Sequence, residues 1–214
     1  MAAASATIVL ARHGQTELNR LGVVQGSGVD PGLNAEGQAQ ARALFARLRD
    51  RVGGVVTSGM LRARETARPF ADAGHAVTAD RRLREICWGE QEGMVATPES
   101  REAYLRLTAA WRAGDLDARL PGAESAAELA TRLRAAWDDL RASAAAAATP
   151  PLVVMHGRAL RCLCAIVEAQ PIAAMDDYPH ANAGYYVAEC RGDAWSLTER
   201  NVTSHLPDPV NPAS

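Results

Sequence analysis

The chain has 214 residues, 48% of them apolar, enough for a substantial core and too many for a disordered polymer. Its net charge of −2 excludes a generally polyanion-binding surface, so no nucleic-acid partner is expected. No apolar run approaches the length of a membrane span. Cys87, Cys162, Cys164 and Cys190 form neither a disulfide framework nor paired zinc-type spacings, which fits reduced thiols in a cytoplasmic protein.

In chain order, Ile8–Leu10 is a short continuous apolar run, as in a strand covered on both faces; it follows no basic leader and reads as structure, not as a signal peptide. Residues 34–50 predict a helix capped by Asn34, with Leu44 and Leu48 four apart. "GVVTS" (54–58) is a second buried strand. Residues 61–74 predict a helix that ends before Pro69 or passes it with a kink. Residues 99–113 and 124–147 predict longer helices, the second rich in alanine. "PLVVMH" (151–156) is a third buried strand, 159–171 a buried helix ended by Pro171, and 183–190 and 194–199 two later strands. This alternation predicts an α/β fold, a three-layer α/β/α arrangement with a mainly parallel central sheet. Residues 1–206 are expected to form a single domain, 95–122 a helical lid excursion without a strand of its own, and 207–214 a disordered tail.

Polar residues gather where the predicted strands end. Arg12-His13-Gly14 follows the first, Ser58 and then Arg62 follow the second, and His156 closes the run 151–156 with Gly157 directly after it. In open parallel sheets, ligands bind beyond the carboxyl ends of the strands, so these residues can meet in one crevice; Glu85 is a fifth candidate. Two guanidinium forks match phosphate oxygens, a neutral imidazole attacks phosphorus, and a second imidazole donates to a non-bridging oxygen. A carboxylic acid protonates the leaving alkoxide and then deprotonates water. Gly14 and Gly157 permit close backbone approach. Singly, His156 reads as a satisfied structural histidine, Arg62 as a solvated arginine of "RARETAR", and Glu85 as a surface charge. Their joint placement behind separate strands points instead to phosphoryl transfer through a phosphohistidine, with no metal and no cofactor required.

Those segments resemble the histidine phosphatase superfamily, in its phosphoglycerate-mutase-like branch. "LARHGQTELN" (10–19) is similar to the family signature, and "QGSGVDPGLNAEGQAQA" (25–41) to its loop and first helix. "TSGMLRARETA" (57–67), "LREICWGEQEG" (83–93), "GAESAAEL" (122–129) and "VVMHGRALRCL" (153–163) follow in the family's order. The resemblance implies that His13 is the phosphorylated nucleophile, that Arg12, Arg62 and His156 complete the phosphate pocket, and that Glu85 is the proton donor and later the base. It also implies substrate contacts from Asn19, Gln25 and Gly157, with Asn182 bordering the cleft. Gln15 stands where many members carry Glu.

His13 must be neutral to attack, and the cations around it are expected to lower its pKa. Glu85 is followed by "ICWGEQEG" rather than the mutases' Glu-Arg-x-Tyr-Gly, and the excursion 95–122 is short. Both features are closer to the broad-specificity, α-ribazole and fructose-bisphosphate phosphatases than to the mutases. The expected activity is hydrolysis of a small organic phosphate ester: a sugar phosphate, nucleotide or cofactor precursor. A phosphoglycerate-type mutase is the alternative, followed by a silent phosphate-binding module, and a zinc hydrolase on His13 and His156 lacks further ligands. Arg101, Tyr104, Arg106, Trp111 and Arg112 are placed to overhang the pocket, although Tyr104, Leu107 and Trp111 also make the apolar stripe of an ordinary helix. His75, His180 and His205 read as loop or surface residues. A homodimer through an edge strand or an apolar helix face is compatible with the sequence.

Overall fold

Strand β1 (Thr7–Arg12) is paired on both sides, parallel to β4 (Pro151–Met155) and antiparallel to β5 (Tyr185–Arg191). The computed structural model describes residues 6–192 and 194–206, so the expectation for the tail 207–214 lies outside the described residues. With β2 (Gly54–Thr57), β3 (Ala76–Ala79) and β6 (Ala194–Val202), they form a six-stranded sheet of order β3-β2-β4-β1-β5-β6. The pairs β3-β2, β2-β4 and β4-β1 are parallel, while β5 and β6 close one side antiparallel. The sheet is thus mainly parallel, as expected.

The continuous apolar runs are explained by burial on both faces. Ile8 and Leu10 of β1, Val153 and Met155 of β4, and Tyr186 and Ala188 of β5 join one core cluster. The intervening Val9, Ala11, Leu152, Val154, Tyr185 and Val187 join the other. On the first face pack α5 (Ala126–Ala146), α6 (Gly157–Val167) and part of α4 (Pro98–Arg112); on the second pack α2 (Ala35–Leu48) and α3 (Leu61–Asp72). A one-turn helix, α1 (Glu17–Arg20), follows β1. Asn34 caps α2 by accepting from the Gly37 N–H, as its position predicts. Ser125 and Glu128 make a reciprocal capping box on α5.

Of the two readings for residues 61–74, the structure takes the one that passes the proline: α3 continues through Pro69 to Asp72 and carries Phe70 into the core with no exposed surface. Two local readings are corrected. Helix α6 stops at Val167, short of Pro171: Ala169 adopts φ 52° and the Gln170 N–H bonds back to the Ala165 carbonyl. Residues 76–79 form an edge strand where none was expected, since every side chain in it is exposed and no buried face patterns the sequence.

Candidate active site

Adjacent parallel strands and their register bring the two predicted histidines together. Arg12 of β1 pairs with Met155 of β4, so the next residues, His13 and His156, leave the sheet side by side. Their ring centroids are 5.2 Å apart. The chain departs from β1 toward α2 on one face and from β4 into α6 on the other, so the pair occupies a point where the topology switches sides. The His13 backbone is held by the Met155 carbonyl and by the Ala183 N–H.

Hydrogen bonding fixes opposite tautomers for the two rings. His13 Nδ1 lies 2.7 Å from the Gly14 carbonyl, which only accepts, so Nδ1 carries the hydrogen and Nε2 keeps its lone pair. Arg62 Nε donates to His156 Nδ1 at 3.1 Å; that nitrogen is therefore the acceptor, and Nε2–H donates to Ser58 Oγ at 2.7 Å. Both His156 nitrogens thus have protein partners, and donation to a phosphoryl oxygen requires exchange of the Ser58 bond.

Arg62, fully buried on α3, gives Nη1 to the Val29 carbonyl and the Asp30 carboxylate and one Nη2 hydrogen to the Gly26 carbonyl. One Nη2–H remains for a ligand. Arg12 Nη1 donates to the His180 carbonyl at 2.8 Å, while its Nε is buried without any partner. Burial pulls the Arg12 pKa down to about 10 although the Glu85 charge opposes it. A buried, partly unpartnered guanidinium is costly alone and is relieved by an anion. Glu85 caps α6: Oε2 accepts from the Arg158 N–H and Oε1 from the Ala159 and Ile86 N–H groups, each at 3.0 Å. Oε1 is doubly occupied, which leaves Oε2 with a free lone pair.

The secondary predictions also converge. Asn182 Nδ2 donates to the His13 carbonyl and to Asn19 Oδ1, and Gln25 Oε1 accepts from Thr16 Oγ1 at 2.8 Å. The Gln25 amide nitrogen is buried and unpartnered. The two glycines act differently from expectation, since both approach protein groups. A Cβ on Gly14 would stand 2.5 Å from the Gly37 carbonyl oxygen, and one on Gly157 would stand 2.8 Å from His180 Cδ2 and 3.5 Å from Arg12 Nε. Thr66 accepts the Gly14 N–H and locks the loop to α3.

Of the residues expected to overhang the pocket, Arg101 and Tyr104 line a cavity, Trp111 is buried in the core, and Arg106 and Arg112 pair on the surface with Glu102 and Asp177. Two neighbours escaped sequence reasoning. His180 lies in a loop, one of the two places expected for it, but half-buried against Gly157 and Arg12. Arg158 is buried, pairs with Asp176, bonds the Tyr104 hydroxyl and lies within 6 Å of the Trp88, Tyr104 and Trp111 rings. The only local signal for Arg158 is its place directly after His156-Gly157. Among the described residues no three His, Cys, Asp or Glu side chains converge as a metal site.

Burial first, and then Arg12 and Arg62, hold the His13 imidazole well below its ordinary 6.5. Burial outweighs the neighbouring cations, the cause the sequence suggested. Burial, Arg62 and His13 do the same to His156, and burial with Arg12 brings His180 to about 3. Below pH 6.5 the unfolded chain takes up protons that the folded chain refuses. Stability from this source is complete above that pH and is lost as the pH falls toward the folded values, by up to about 1.4 kcal/mol per pH unit for each histidine. The unfolding midpoint is therefore expected to drop by several degrees between about pH 7 and about pH 5. A flat midpoint across that range would contradict neutral burial of these rings.

The model of the histidine phosphatase superfamily (branch 1) matches residues 8–203, and the chain belongs to that family. Among its relatives, the "Probable phosphoglycerate mutase GpmB" of Yersinia enterocolitica is 32% identical over 220 residues, covering 95% of this chain and 96% of that protein. The structure of mycobacterial glucosyl-3-phosphoglycerate phosphatase Rv2419c has a TM-score of 0.81 at 29% identity, covering 93% of this chain and all 100% of that one. The α-ribazole phosphatase of Shigella flexneri shares the fold, with a TM-score of 0.78 at 24% identity over 96% of this chain and 100% of that one.

Proposed function

We propose that this chain is a phosphomonoesterase that hydrolyses a small organic phosphate, such as a sugar phosphate, nucleotide or cofactor precursor, through a phosphohistidine on His13. The observation that carries the reading is a buried, neutral imidazole whose Nδ1–H is committed to the Gly14 carbonyl, leaving the Nε2 lone pair to attack. Arg12 Nε and the remaining Arg62 Nη2–H receive the phosphoryl oxygens. Nε2 forms a bond to phosphorus as the ester P–O bond breaks, and the leaving alkoxide takes a proton from Glu85 Oε2. A water then gives that carboxylate a proton, attacks phosphorus and releases orthophosphate, restoring His13. Asn19, Gln25 and Asn182 border the substrate, Gly157 lets Arg12 and His180 approach closely, and α4 serves as the lid of a single catalytic domain. No cofactor enters the scheme. The four free thiols, two of them buried, fit a cytoplasmic setting.

A mutase is the second reading, favoured by the name of the GpmB relatives. The fate of the phosphoryl group separates the two. Incubation with a panel of phosphomonoesters is expected to release one orthophosphate per alcohol, and 3-phosphoglycerate is not expected to equilibrate with its 2-isomer. Isomerisation outrunning orthophosphate release would sink the phosphatase assignment.

A further inference from the structure

Beside the reaction centre lies a cavity of about 450 Å³ that no step of the chemistry uses. It is walled by Val24, Gln25, Trp88, Tyr104, Leu105 and Leu120, and Arg101 is the one charged side chain among its lining residues. Two links tie it to the phosphate pocket. Gln25 is bonded to Thr16, three residues after His13, and Trp88 follows Glu85 by three residues. The Trp88 ring is held by edge contact with Tyr104 at 5.6 Å and by Trp111 at 6.1 Å, so the wall is preorganised.

Its surroundings are unusually apolar for a surface. Met94, Val95 and Leu105 are 58%, 65% and 63% exposed, and they belong to the segments that form the walls. The Val24 N–H bonds to the Met94 carbonyl, and Val23 bridges to Val95. Leu105 lines the cavity, and Met94 and Val95 directly precede the lining residue Ala96; exposed apolar side chains next to a cavity mark a binding site. A separate depression lined by Arg81, Arg84, Arg132, Glu85 and Glu124 is mixed in charge rather than apolar. All five N–H groups of Arg132 are already committed, to the Glu124 carboxylate and to the carbonyls of Arg82, Arg84 and Glu85.

We infer that the cavity receives the leaving group of the substrate and selects an uncharged, apolar one, an alkyl or aryl alcohol, over the carboxylate-bearing alcohol of a phosphoglycerate. This rests on the phosphatase reading and goes further by naming the substrate class. The phosphoryl group sits at His13, and the organic part passes Gln25 and lies against Trp88 beneath α4.

A series of primary alkyl phosphates from ethyl to hexyl tests it, because the alkoxides are nearly equal as leaving groups and differ only in apolar length. The expected result is a kcat/KM that rises by up to about 4-fold for each methylene that enters the cavity, with 3-phosphoglycerate below hexyl phosphate. Leu105→Glu is expected to flatten the rise, whereas Val77→Glu, on the distant edge strand, is expected to retain it. Three outcomes would overturn the inference and leave the phosphatase intact: His13-dependent hydrolysis that is flat with chain length, 3-phosphoglycerate at or above hexyl phosphate, or a rise that survives Leu105→Glu. A flat series together with self-association abolished by Leu105→Glu would assign the apolar rim to a second copy of the chain instead. Absence of His13-dependent hydrolysis of every ester would overturn both readings together.

Discussion

His13→Ala is expected to lose at least about 10⁴-fold in phosphoesterase activity while remaining folded. The loss is large because nothing nearby can substitute as the nucleophile. His156 stands 5.2 Å away, but both its nitrogens are tied, one to Arg62 and the other to Ser58. The fold should survive because the loop is held through its backbone, by the Met155 carbonyl, the Ala183 N–H and the Asn182 amide. The one side-chain bond removed is that to the Gly14 carbonyl, a change of about 1 kcal/mol. The measurement is orthophosphate release, with label from a phosphorylated substrate trapped on the protein. Wild-type label should be lost in acid and kept in base, as for a phosphoramidate, and the variant should carry none. Activity within tenfold of wild type would remove His13 from the mechanism.

Legibility in the sequence followed how local each cause was. The strands β1, β2 and β4 could be read because burial on both faces leaves an unbroken apolar run, and the Asn34 cap because its partner is three residues away. Arg12, His13, Arg62 and His156 stood out as polar residues at or near strand ends, where a core has no use for them; Glu85 follows no predicted strand and joined them only as a further candidate. The exposed strand β3 left no pattern to read. The left-handed Ala169 that stops α6 is not a glycine, so the usual stop signal was missing. His180 and Arg158 acquire their positions from contacts across many residues: the first from Arg12 and Gly157, the second from Asp176 and three aromatic rings. The tautomers were hidden for the same reason, since each depends on a partner's geometry. Gly14 and Gly157 were recognised as positions of close approach, but what approaches them is the Gly37 backbone and the Arg12 and His180 side chains.

Glu85→Gln is expected to slow alkyl phosphates by about 10²- to 10⁴-fold and to spare the first step with p-nitrophenyl phosphate. An alkoxide cannot leave without a proton, whereas p-nitrophenolate can, so only the former needs the acid. Hydrolysis of the phosphohistidine needs the base with either substrate. The variant should therefore release about one equivalent of nitrophenolate in a burst and accumulate the phosphorylated protein. The substitution carries its own structural cost. Gln Oε1 can still accept from the Ile86 and Ala159 N–H groups, but its amide nitrogen would face the Arg158 N–H, donor against donor. One buried N–H then loses its acceptor, at about 1–3 kcal/mol, so the unfolding midpoint should fall by several degrees. That loss acts equally on every substrate. Dependence of the rate defect on the leaving group therefore separates proton transfer from structural damage. Equal slowing of alkyl and p-nitrophenyl esters, with no burst, would show that Glu85 only anchors the start of α6.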